Sequence, residues 1–236
     1  MKVRHNCQHD LGGLVIEDKS GCYATKGGKP MLKKEASLIV GGWSKPSKMP
    51  CKSYSIPAEA CKTGSKLRKQ PGTVCSDCYA CKGMYRFPVV QAALYRRLSS
   101  LVDPSWTEAM VTIIGNDSHF RWHDSGDVQS EAHMLKICAV ADMTPTTLHW
   151  LPTKEASLVK KFAKKWGLPK NLVVRISSPM VDGKASEADG NILSCRSVTV
   201  ADPAHWTCPA PHQGGSCGSC RACWDVNVEN VDYLMH

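Results

Sequence analysis

Between residues 88 and 200 the apolar positions of this chain switch back and forth between a helical period and the shorter period of strands. Pro88 suits a first helical position, and the following VVQAALYRRLSSLV repeats apolar residues at helical spacing. Asp103-Pro104 predicts a cap and first turn for a second helix through Met110 and Ile113. Ser118 to Trp122 predicts a strand, followed by the loop His123-Asp124-Ser125-Gly126-Asp127. Ser130 then caps a helix carrying Met134, Leu135, Ile137, Cys138 and Val140. Thr147 to Leu151 predicts a second strand. Thr153 predicts the cap of a helix with Leu158, Val159, Phe162 and Trp166, closed by Gly167. Leu172 to Ser177 supplies a third strand and Val198 to Val200 a fourth. Strands separated by helices at this spacing run parallel, with right-handed crossovers. The expected fold is α/β, an open parallel sheet or partial barrel with crossover helices, flanked by irregular cysteine-rich metal-binding segments. The repeats are too few for a closed eight-unit barrel.

Residues 1–87 lack that regularity. Paired glycines at 12–13, 27–28 and 41–42 punctuate short apolar runs such as Leu38-Ile39-Val40, which predict short strands and turns. His5, Cys7 and His9 alternate, which fits either a metal site on an extended segment or chance at a mobile terminus. Residues 50–87 are rich in Pro, Gly and Ser, a composition of loops wrapped around a ligand. The chain divides into one domain of three parts: the irregular 1–87, the α/β core 88–200 and a cysteine-bearing tail 201–236.

Composition narrows the function. No run approaches the ~18 apolar residues of a membrane span. The opening MKVRHNCQHDLGG has no apolar signal core, so the host cytoplasm is the expected location. A reducing cytosol disfavours disulfides, and 13 cysteines is an odd number, which points to metal ligation. The formal charge is +9. Two four-iron centres with four thiolates each, at a net −2 apiece, would lower it to about +5. The excess leaves room for a nucleic-acid partner, as does the basic stretch Lys66 to Lys69 with Lys82 and Arg86.

The cysteines carry the most specific signal. Cys75, Cys78 and Cys81 form C-x2-C-x2-C, and Cys217, Cys220 and Cys223 repeat it. Three thiolates at this spacing suit a cube-shaped iron–sulfur cluster, whereas zinc sites generally pair one C-x2-C with a distant second. Cys208-Pro209 completes the C-terminal set as C-x8-C-x2-C-x2-C. The first set takes its fourth thiol from Cys61 or Cys51, or shares one cluster with the tail. Cys7, Cys22, Cys138 and Cys195 read as plain thiols, Cys138 on an apolar helix face. The cofactor expected is therefore one or two [4Fe-4S] clusters, with zinc as the alternative. A three-thiolate cluster with an open iron, as in enzymes using S-adenosylmethionine, lacks its usual C-x3-C-x2-C here.

His123, Asp124 and Asp127 follow a predicted strand, at the edge where α/β sheets bind small molecules. They suit a base and its orienter, or ligands for a second metal, or plain turn capping. Arg175 within its strand also suits that pocket. Trp224 beside Cys223 suits a water shield, and Tyr79 and Tyr85 suit either base stacking or packing over the metal. Three functional readings result. The first is an iron–sulfur protein with redox or radical chemistry. The second is a zinc-stabilised nucleic-acid-binding module, and the third a hydrolase or lyase using His123, Asp124 and Asp127.

The segments GSKLRKQPGTVCSDCYACKGMY, FRWHDSGDVQS, HWLPTKEAS, NLVVRISS and CPAPHQGGSCGSCRACWDVNVENVDY resemble a family of phage proteins, gene product 88-like. The resemblance implies a bacteriophage-encoded cytoplasmic protein. It implies a family cysteine pattern at Cys61, Cys75, Cys78, Cys208, Cys217, Cys220 and Cys223, with Cys81 where relatives can carry an apolar residue. It brings no catalytic role for the His-Asp-Ser-Gly-Asp loop.

Overall fold

Among the described residues six parallel strands in consecutive order make one sheet. They are β1 (Lys52–Tyr54), β2 (His119–Trp122), β3 (Leu148–Thr153), β4 (Leu172–Val181), β5 (Arg196–Val200) and β6 (Asn230–Leu234). The computed structural model describes residues 30–185, 195–202 and 207–235. The candidate group His5, Cys7 and His9, like Cys22, lies outside the described residues. β1 and β6 do not pair with each other, so the sheet stays open.

A consecutive parallel order with one crossover hand puts every connecting helix on the same face. The core sits there. Phe120 and Trp122 of β2, Leu151 of β3 and Leu172, Val174 and Ile176 of β4 project into it. They meet α4 (Trp106–Ile114), α5 (Glu131–Met143) and α6 (Ala156–Trp166). Tyr54 of β1 is fully buried at the rim. Its hydroxyl accepts from Trp106 Nε1 (3.1 Å) and stands 2.8 Å from the Val40 carbonyl, closing the sheet edge against the helices.

Local signals place most helix ends. α3 (Pro88–Ser100) starts on Pro88, and α5 is capped by Ser130, whose hydroxyl accepts the His133 N–H. α4 begins two residues after Pro104, with the Asp103 carboxylate accepting from Ser105 N. Thr153 is the last residue of β3 rather than the cap of α6, whose N-cap is Glu155.

Two expectations for the N-terminal part are corrected. Leu38-Ile39-Val40 is not a strand. It ends α1 (Lys33–Ile39), a helix that buries Ala36 and Val40 at i, i+4 and leaves Leu38 exposed. Nor are residues 30–87 wholly irregular, since they also hold β1 and the short α2 (Lys62–Leu67). β1 and β6 escaped the sequence reading.

The other face of the sheet carries Ser53, Arg121, Trp150, Arg175, Ser177, Ser197 and Tyr233. Residues 222–228 lie over it. A second, smaller cluster of Cys51, Trp150 and Trp224 forms there, with Met49, Cys223 and Tyr233 against it. Parallel sheets need both faces covered, and here a cysteine-bearing loop replaces the second layer of helices. No described helix is long and apolar enough to cross a membrane.

Candidate metal centre

The first thiol group is built from tight turns. A 3₁₀ turn spans Val74–Asp77 and another Tyr79–Cys81, with Cys78 N bonded to Cys75 O (3.3 Å) and Cys81 N to Cys78 O (3.0 Å). Cys78, at ψ 116°, joins the two turns. Thr73 caps the first turn, its hydroxyl accepting from Ser76 N. Cys61 stands at the N-cap of α2. Gly64 of that helix leaves the room: a Cβ there would lie 3.5 Å from Cys75 Sγ and 3.7 Å from Cys61 Sγ. Both sulfurs thus lie within 3.7 Å of one point. Cys81 hydrogen-bonds Cys78.

This segment is tied to the carboxyl ends of three strands. Glu155, after β3, accepts from both Thr63 N and Thr63 Oγ1 at 2.7 Å. Gly72 O accepts from Val181 N of β4 at 3.0 Å. After β2, Asp124 accepts from Tyr85 Oη at 2.8 Å and from Ser53 Oγ at 3.1 Å, and its carbonyl accepts from Tyr79 Oη. Lys154 donates from Nζ to Ser178 O (2.8 Å), and its charge reaches Cys75, Cys78 and Cys61.

The His-Asp-Ser-Gly-Asp loop acts here as a joint. Asp127 Oδ1 accepts from Thr153 Oγ1 (2.6 Å) and Val128 N (2.7 Å), and Oδ2 from Lys154 N (2.8 Å). Its acidity is weakened to about 6, burial being the main cause, partly offset by those three bonds. Gly126, at φ 77°, passes Ile56 so closely that a Cβ would come within 2.7 Å of the Ile56 carbonyl oxygen. His123 has φ 56°, unusual for a non-glycine residue. It is 4% exposed, has neither ring nitrogen bonded, and packs edge-on against His133 with centroids 5.3 Å apart. Burial, then the His133 and Arg121 charges, hold its pKa well below the usual range, so the ring is neutral.

The second group lies on the helix-free face. Cys220 N bonds Cys217 O at 3.0 Å, the same turn as in the first group. Cys217 senses Cys208 and Cys220, and Cys223 senses Cys208. Cys223 Sγ is 3.1 Å from Tyr233 Oη. Cys51 also belongs here, beside Cys217 and packed with Trp150 and Trp224, which leaves Cys61 with the first group. Arg175 is fully buried and holds the segment down. Nε donates to Cys223 O, Nη1 to Val228 O and Arg196 O, and Nη2 to Ala222 O and Asp225 O, over 2.6–3.2 Å. The segment is also fixed to the sheet by Trp224 Nε1, which donates to Phe120 O at 2.9 Å.

Burial raises these thiols. Cys51 goes to about 12, Cys81 and Cys223 to about 11, and Cys61, Cys75, Cys208 and Cys217 also rise. They hold their protons near neutrality, so a metal must displace them. None of the eleven described cysteines is in a disulfide. Among the described residues no three His, Cys, Asp or Glu side chains are placed to hold a single metal ion.

The residues named from sequence thus fall into two groups and a joint. Cys61, Cys75, Cys78 and Cys81 gather at the carboxyl edge, and Cys208, Cys217, Cys220 and Cys223 on the open face. Asp124 and Asp127 link the first group to the strands. Cys138 is core, and Trp224 covers the second group. Lys154 directly follows β3 and so stands at the binding edge with Glu155. A family model described as Gene product 88 matches residues 23–226. No curated protein and no solved structure matches the chain.

Proposed function

This chain belongs to the Gene product 88 family; from its cysteines we propose that it is an iron–sulfur protein holding two [4Fe-4S] clusters. Cys61, Cys75, Cys78 and Cys81 would hold one, and Cys208, Cys217, Cys220 and Cys223 the other. The observation that carries this reading is the approach of thiols from separate chain segments into two largely half-buried groups, each with a C-x2-C turn.

Bound clusters of this type supply one-electron chemistry. What the chain's own residues do follows from their positions. Gly64 leaves space beside Cys61 and Cys75. Lys154 places a positive charge against the first group. Tyr79 and Tyr85, held by Asp124, wall it on the β2 side. The first group stands where α/β sheets bind small molecules, so it is the one we assign to a reaction with a small-molecule substrate. The second is clamped by Arg175 and covered by Trp224, which suits an electron relay or a structural centre.

Serine substitution of each pair tests the reading. Protein purified without oxygen should show reduced-cluster spectra from two centres. Cys75→Ser with Cys78→Ser should remove roughly half the iron and one spectrum, and Cys217→Ser with Cys220→Ser the other. A colourless wild-type protein carrying zinc would overturn it in favour of the zinc-stabilised module.

A further inference from the structure

A cleft of about 270 Å³ lies between α3 and the carboxyl ends of β1 and β2. Val89, Val90, Ala93 and Leu94 form its apolar wall, from one face of the helix. The rest of the lining is polar. Ser55 directly follows β1, and Asp124 stands two residues after the end of β2. This is the edge where α/β sheets bind small molecules. Arg97, one turn along the helix from Ala93, and Tyr85 also line the cleft.

Two opposite charges thus line one small space without touching. None of the ion pairs among the described residues joins Arg97 to Asp124. Ser55 bonds both. Its carbonyl oxygen accepts from Arg97 Nη1 at a long 3.5 Å, and its hydroxyl accepts from Asp124 N at 3.1 Å. Arg97 is 6% exposed, and its other hydrogen bond, from Nε to Gly42 O at 3.1 Å, also ends on a neutral carbonyl. A guanidinium this far out of water without a carboxylate is unfavourable, and its planar fork matches a carboxylate in shape. Asp124 is half-buried and held in place. Its Oδ1 accepts from Ser53 Oγ and its Oδ2 from Tyr85 Oη, one bond per oxygen, which leaves acceptor sites on both.

We propose that this cleft binds a small apolar α-amino acid, its carboxylate at Arg97, its ammonium at Asp124 and its side chain along α3. Opposite charges tied to one serine match the adjacent ammonium and carboxylate of such a molecule. A plain acid would meet the Asp124 charge, and a plain amine the Arg97 charge. The volume is that of roughly nine waters, about the heavy-atom count of leucine. The inference gives a place and a class to the small molecule assigned above to this sheet edge. No cysteine lines the cleft, so binding is read with or without metal.

The test is isothermal titration calorimetry of the full-length protein with L-leucine, isocaproate, isoamylamine and glycine. The last three lack the ammonium, the carboxylate and the apolar body in turn. Leucine should bind, and each of the others at least about tenfold more weakly. Ala93→Leu fills the cleft from a half-buried position and should abolish leucine binding with an unchanged thermal midpoint. Asp124→Asn should weaken leucine about tenfold while isocaproate binds no worse, a split that loss of structure would not produce. If the Ala93→Leu protein does not fold, the ligand series and the asparagine variant decide. No heat from leucine at millimolar concentration overturns the inference. Isocaproate binding as tightly as leucine overturns it too, since the cleft would then be a plain anion site, and so does wild-type affinity in folded Ala93→Leu protein. Iron-free protein that binds leucine keeps this site and removes the clusters. Iron-loaded protein that does not bind it does the reverse.

Discussion

Replacing Arg175 by Met should release the C-terminal thiol segment from the sheet. The side chain is fully buried, and its five N–H groups meet five carbonyl oxygens, four of them between residues 222 and 228. Methionine fills similar space and donates nothing. Each hydrogen bond from a charged donor contributes about 1.5–3 kcal/mol net, so simple addition would be as large as the whole stability of an ordinary domain. That sum is not reached, because the carbonyls regain water if the segment lifts away. The loss is then limited by what holds the segment, roughly 3–5 kcal/mol. For a chain of this size that is a fall in Tm of roughly 10 °C. Lysine should rescue little, having a single point charge in place of the planar fork. Urea unfolding gives the free energy, and hydrogen exchange gives the place: amides from 217 to 234 should lose protection while α4 and α5 keep theirs. A methionine variant within about 1 kcal/mol of wild type, with that segment still protected, would refute the clamp.

Gly64→Val should crowd Cys61 and Cys75 and lower iron in the first centre while leaving the spectrum of the second, as metal analysis of the anaerobic protein would show. Asp127→Asn turns an amide donor toward the Lys154 or Val128 N–H and should cost about 1–3 kcal/mol in denaturant unfolding, an effect that an unchanged midpoint would exclude. Acid should destabilise the metal-free protein. Burial lowers His133 from 6.5 to about 4 and His149 to about 3, so their stabilising contribution is present above pH 6.5 and lost as pH falls toward 4 and then 3. Asp127, raised from 3.8 to about 6, acts in the opposite sense with a smaller shift than the two histidines combined. Urea midpoints at pH 7.5 and 5 should therefore differ in favour of 7.5, and equal or higher stability at pH 5 would contradict these assignments.

The central strands were readable because β2, β3 and β4 present runs of large apolar residues to the helices. β1 and β6 were not. KSY and NVDYL are short and polar, and their strand state comes from the register offered by neighbours. Leu38-Ile39-Val40 misled for the converse reason, since three β-formers in a row hide the Ala36–Val40 spacing that buries α1. The cysteine spacings did foretell the Cys75-Cys78, Cys78-Cys81 and Cys217-Cys220 turns, because an i, i+3 turn is a local event. Assigning Cys51 to the second group needed the tertiary structure, as did the function of Arg175. A side chain bonding carbonyls on a distant loop leaves no trace in the sequence. Asp127 read as a candidate acid or base, and the same exposed-edge position makes it a strut between β2 and β3.

The most direct test of the account is the count of iron and acid-labile sulfide in wild-type protein purified without oxygen. Two four-iron centres predict about eight of each per chain, in brown protein. Protein with no iron, or with zinc and no sulfide, would contradict it.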